Sequence, residues 1–168
     1  MRQNDFKQLK NGLLKPYFVA VLCLLSACNS SKPDIINEVF ADKQAAISQT
    51  VQDIFKAGKA KDFERLAGFH LNSPKFSKYE DGNLKKQNAA ENNEGEKAAF
   101  GAADTFNYSI NDLKVDVYDK VAIATFNFPY DARFQGTVLK DTALFTLVFV
   151  DVNGQWKITH EHISSVKK

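Results

Sequence analysis

The stretch Gly154-Gln155-Trp156-Lys157-Ile158-Thr159-His160-Glu161-His162-Ile163-Ser164 decides how this chain folds. Asn153-Gly154 opens it, a pair suited to a two-residue hairpin turn because both central residues must take positive φ. The residues after that turn alternate with a period of two, the mark of a strand with one buried face. Regular alternation puts Trp156, Ile158, His160, His162 and Ser164 on one face, and Lys157, Thr159, Glu161 and Ile163 on the other.

Upstream, the same period predicts strands over 138–150, 121–130 and 113–118, with a turn at Asp119-Lys120. Before residue 106 the period is 3.6. Ile47, Val51, Ile54 and Phe55 form one apolar stripe, with Asp42 as the expected N-cap and Gly58 as the expected stop. A short helix is expected over 62–68 and a third over 89–106, the latter weakened by Gly95 and Gly101 at about 1 kcal/mol each. Residues 71–91 are polar and turn-rich. Helices first and a meander of strands after them predict an α+β domain with the helices on one side of the sheet.

The N-terminus reads differently. Arg2, Lys7, Lys10 and Lys15 precede the apolar run Pro16 to Leu25, which is about half the ~20 residues needed to span a bilayer. Leu25-Ser26-Ala27-Cys28 then resembles the lipobox of bacterial lipoprotein precursors. Residues 1–27 are therefore expected to be a signal peptide, Cys28 the lipid-bearing first mature residue, and 28–41 the lipidated cysteine and its tether. Several acyl chains anchor stably where one is marginal, so the expected partner is a membrane. Asn29 lacks the aspartate linked to inner-membrane retention, which points to the periplasmic face of an outer membrane. Removing the signal takes four bases and one acid from 22 and 20, leaving 18 and 19. No basic face remains to bind nucleic acid. Cys23 leaves with the signal and Cys28 is modified, so no disulfide is expected.

Three stretches carry a family resemblance: the C-terminal Gly-x-Trp-x-Ile-x-His-x-His-x-Ser, Pro74-Lys-Phe76-Ser-Lys-Tyr79-Glu-Asp81-Gly82, and Asp119-Lys-Val121-Ala122-Ile-Ala124-Thr-Phe126. Together they resemble the SnoaL-like branch of the nuclear transport factor 2-like superfamily, related to the association domain of calcium/calmodulin-dependent kinase II. The resemblance covers about residues 42–164, and the domain is expected over 42–168. It implies a cone: a strongly curved antiparallel sheet wrapped around a long N-terminal helix, with two shorter helices, a cavity between, and dimerisation through the sheet's outer face. The superfamily holds isomerases, cyclases and dehydratases as well as non-catalytic assembly domains, so the fold does not select a function. Members often carry a cavity-facing arginine where this chain has Leu144, which argues against an anionic ligand.

Within that frame the expected pocket residues are Tyr79, Phe126, Trp156, His160, His162 and Ser164. His160 and His162 are the candidate catalytic bases, imidazole being suited to proton transfer near neutral pH. The remaining histidine, His70, has nothing to place it near them, so no metal and no cofactor are expected. Tyr79, Tyr108, Tyr118 and Tyr130 are possible hydrogen-bond donors, and a heavy load of phenylalanine favours a small apolar ligand if some rings face the cavity. Two readings stand: a lipid-anchored domain that binds a small apolar ligand or a protein partner without catalysis, or an isomerase- or cyclase-type enzyme using a pocket histidine.

Overall fold

Ile47, Val51, Ile54 and Phe55 recur at helical spacing, and all four are buried on the inner side of α1, Ala41–Lys59. In the computed structural model, which describes residues 34–166, this long helix lies against an unclosed, curved six-stranded sheet. The signal, Cys28 and tether residues 29–33 lie outside the described residues. Between Asp34 and α1 the chain makes a single turn, its N–H groups at Ile36 and Asn37 donating to the Asp34 carboxylate. No helix among the described residues is long and apolar enough to cross a membrane.

The remaining elements are α2 (Phe63–Gly68), β1 (Ser77–Glu80), α3 (Ala89–Ala102), β2 (Thr105–Tyr108), β3 (Asn111–Tyr118), β4 (Val121–Phe134), β5 (Thr137–Val152) and β6 (Gln155–Ser165). Their spatial order is β1-β6-β5-β4-β2, with β3 also on β4. All pairs are antiparallel except β1 with β6. Asn153 and Gly154 take φ of 55° and 82°, the turn expected of that pair.

The structure moves several boundaries. Asp42 sits in the first turn of α1 rather than at its N-cap, which is Phe40. Asp62 does cap α2, accepting from the Arg65 N–H. Helix α3 begins in a capping box, Asn88 accepting from the Glu91 N–H while Glu91 accepts from the Asn88 N–H. It stops at Ala102, and residues 105–108 pair with β4 as β2 instead of continuing the helix. Gly58 lies within α1, where a Cβ would stand 2.6 Å from the Phe100 ring, so glycine there lets α3 approach.

The core forms where α1 meets the inner face of β4 and β5. Phe55 packs its ring against Phe128 at 4.3 Å, Phe145 at 5.4 Å and Phe126 at 5.7 Å between centroids. Burying one such side chain contributes roughly 1.5–3 kcal/mol, and this cluster joins helix to sheet without any cross-link.

Candidate functional site

One break in β6 decides what faces the cavity. Phe149 pairs with Ile158 and Val148 with His160, so Thr159 is an extra residue, a β-bulge. Because side chains alternate strictly, one extra residue exchanges the two faces beyond it. Ile158 is inward, but past the bulge the inward residues are Glu161, Ile163 and Ser165, opposite Leu147, Phe145 and Ala143. His160, His162 and Ser164 turn outward, opposite Val148, Thr146 and Leu144.

The expectation of one continuous face from Trp156 to Ser164 is therefore corrected. None of the six expected pocket residues lines the cavity. Phe126 is buried in the core and Trp156 packs half-buried against it. Tyr79, exposed, stands on the outer face across from His162 with its ring near His160. His160 Nδ1 shares a 2.9 Å hydrogen bond with Ser77 Oγ. Leu144 also faces outward, so the absent arginine says nothing about the cavity; the inward positions beside it are Ala143 and Phe145.

The cavity holds about 380 Å³ between α1, α3 and the sheet. Phe55, Phe100, Phe106, Phe128, Tyr130 and Phe145 supply aromatic wall. Its polar part is built by four elements. His70, just after α2, is held against β6 because the Leu71 N–H donates to the Ile158 carbonyl and the Ile158 N–H to that of Phe69. Lys78 on β1 is in register with Glu161 on β6. Glu96 comes from α3. All four side chains line the cavity, and His70, Lys78 and Glu161 are each at most 5% exposed.

Lys78 Nζ lies 3.7 Å from Glu161 Oε1, while His70 Nε2 lies 3.6 Å from Glu161 Oε2 and 3.5 Å from Glu96. The histidine contacts are charge contacts, longer than hydrogen bonds. Both His70 nitrogens, Glu96 Oε2 and Glu161 Oε2 are buried without a hydrogen-bond partner, as is the Asn92 amide.

Burial opposes charge on every member of this group, and the neighbours decide the outcome. Glu161 stays below the usual carboxylate range because Lys78 and His70 outweigh its burial. Lys78 and His70 are raised because the carboxylates of Glu161 and Glu96 outweigh theirs. Glu96 alone is left short of positive neighbours, and burial, with the Glu161 charge behind it, pushes it up to about 7. The group is thus an ion pair, Lys78 with Glu161, beside a Glu96 carboxyl raised to about 7 and a His70 imidazole raised from its ordinary value.

His70, Glu96 and Glu161 offer three ligand atoms within 4.8 Å of one another, a donor set capable of holding a divalent metal ion. Lys78 already sets a cation against the same carboxylate. Sequence reasoning missed this group because it looked for partners of His70 among the histidines. The available signal was Ile158 and Ile163: two apolar residues an odd number apart cannot both be inward without a bulge between them.

The SnoaL-like domain family profile matches residues 47–167. No curated protein matches the sequence. Solved structures do. A nuclear transport factor 2-like superfamily protein from Salmonella enterica superposes with a TM-score of 0.68 at 17% identity, over 77% of this chain and 95% of that one. A protein from Novosphingobium aromaticivorans assigned as a scytalone dehydratase gives 0.66 at 12%, over 75% and 85%. A calcium/calmodulin-dependent protein kinase II association domain assigned in Xanthomonas campestris gives 0.62 at 15%, over 83% and 96%. At these identities the likeness is one of fold, and the family match together with the cone places the chain in the SnoaL-like domain family of the nuclear transport factor 2-like superfamily.

Proposed function

We propose that this domain binds a small, mostly apolar molecule in the cone, with the molecule's polar end at the His70/Glu96/Glu161/Lys78 group. The observation that carries the reading is the cavity itself: about 380 Å³, walled by aromatic rings, with buried polar atoms lacking partners at one side. Pockets that select a ligand combine an apolar wall with a few convergent polar groups. Native mass spectrometry of the chain purified from its own cells tests it. A bound small molecule that leaves on denaturation, and is absent when Ser165→Trp fills the cavity, is the expected result; a clean mass, with no gain on adding aromatic probes, opposes it.

A second reading is favoured by Glu96. A carboxyl held near 7 is matched to proton transfer at neutral pH, and the family includes dehydratase- and isomerase-type enzymes. In this reading the base is Glu96, with His70 beside it, rather than His160 or His162 on the other face of the sheet. Deuterium exchange from solvent into a cyclic ketone such as tetralone, lost in Glu96→Gln, supports it; exchange no faster than buffer leaves binding without catalysis.

The lipobox at Leu25-Ser26-Ala27-Cys28 supports export and lipid attachment at Cys28, with the domain held at the periplasmic face of an outer membrane. Labelled palmitate should enter the wild-type chain and be absent from Cys28→Ser. Pairing of two copies through the outer sheet face is supported by its exposed Tyr79, Tyr118, Val121 and Leu144. Light scattering at twice the chain mass, reduced to one by Leu144→Lys, is the expected outcome.

A further inference from the structure

We propose that the ligand of this cavity is an organic cation, a small aromatic amine whose ammonium lies between Glu96 and Glu161. The inference rests on the cavity being a binding site and adds the class of molecule it takes.

The charged residues lining the cavity are Glu80, Asp81, Glu96 and Glu161 against Lys78 and His70, and no arginine is among them. Lys78 Nζ is buried and faces Glu161 Oε1 at 3.7 Å, so that carboxylate balances its charge. Oε2 of Glu161, 3.6 Å from His70 Nε2, and Oε2 of Glu96 are both buried and neither accepts a hydrogen bond. An unsatisfied buried acceptor is costly, and a ligand that brings donors relieves that cost. An ammonium brings three donors and a positive charge, an alcohol one donor, and a carboxylate only further acceptors and a like charge. The walls point the same way. Phe100, Phe106, Phe128, Tyr130 and Phe145 line the cavity as aromatic surface. The π-face of an aromatic ring is its negative surface and attracts a desolvated cation.

Calorimetric titration of the full chain with three probes sharing one ring system, tryptamine, tryptophol and indole-propionate, tests the assignment. Tryptamine is expected to bind about tenfold more tightly than tryptophol, with indole-propionate weakest. In Glu96→Gln the amine should lose its advantage over the alcohol. Indole-propionate binding as tightly as the amine, or an amine preference that survives Glu96→Gln, overturns the proposal. Tryptophol bound with tryptamine no tighter overturns the cation but keeps the binding site. No binding by any of the three removes the site and the cation with it. Should Glu96→Gln fail to fold by circular dichroism, the ranking of probes on the wild-type chain still decides.

Discussion

Ile158 and Glu161 lie on the same inner face of β6 although three positions separate them, because Thr159 bulges out of the ladder between. This places an acid inside the cone and two histidines outside it. Replacing His162, which is exposed, should therefore change stability by no more than about 0.5 kcal/mol, as for a surface site. His70→Ala removes a buried ring packed edge-on to Phe76 and uncovers two carboxylates, and should cost about 2–4 kcal/mol. Urea unfolding of the two variants checks the contrast; equal costs would contradict the placement.

The Lys78–Glu161 pair should behave as buried pairs do. Neutralising one partner strands the other, so Glu161→Gln is expected to destabilise by about 3–5 kcal/mol. Replacing both, as Lys78→Met with Glu161→Leu, should recover most of that loss. A double variant as unstable as the single one would mean that the pair is held for more than charge balance.

Much of the fold was legible. The stripe Ile47, Val51, Ile54, Phe55 and the Asn153-Gly154 turn carry their meaning in local spacing, and both stand as read. The two strands that escaped notice, β1 and β2, are four residues each, too short for a period to register. Strand β2 was hidden further by Ala102 and Ala103, which prolong a helical pattern into it. The site was not legible, because its four polar side chains come from four separate elements and meet only through long-range pairing. The bulge then reversed the reading of the one motif that looked decisive.

Glu96 predicts how stability depends on pH. Its carboxyl is raised from 4.5 to about 7 in the folded chain, chiefly by burial. Between those values the folded state keeps a proton that the unfolded chain has lost, so stability must fall as pH rises through that window. His70, also raised, extends the loss above its ordinary 6.5. Glu161 acts oppositely: being lowered, it contributes stability above its ordinary 4.5 that is lost as pH falls through its folded value. Thermal unfolding should therefore show greatest stability near pH 5 and a decline on the order of 2 kcal/mol by pH 8. Glu96→Gln should flatten most of that slope; an unchanged slope would contradict the assignment.

The same carboxyl links ligand to proton. Glu96 faces His70 at 3.5 Å, with Glu161 and Lys78 behind, and an ammonium placed against it favours its ionised form. Amine binding near pH 7 should release a proton, visible as a binding enthalpy that varies with the ionisation enthalpy of the buffer. Affinity should rise with pH and level off above about 7. Buffer-independent enthalpy would argue that the amine lies away from Glu96.

A crystal structure of the domain grown with tryptamine tests the central claim most directly. The account predicts indole density inside the cone among Phe106, Phe128 and Phe145, with the amine turned toward Glu96 and Glu161. Tryptamine bound instead on the outer sheet face beside Tyr79 and His162, with the aromatic rings collapsed to fill the cone, would contradict it.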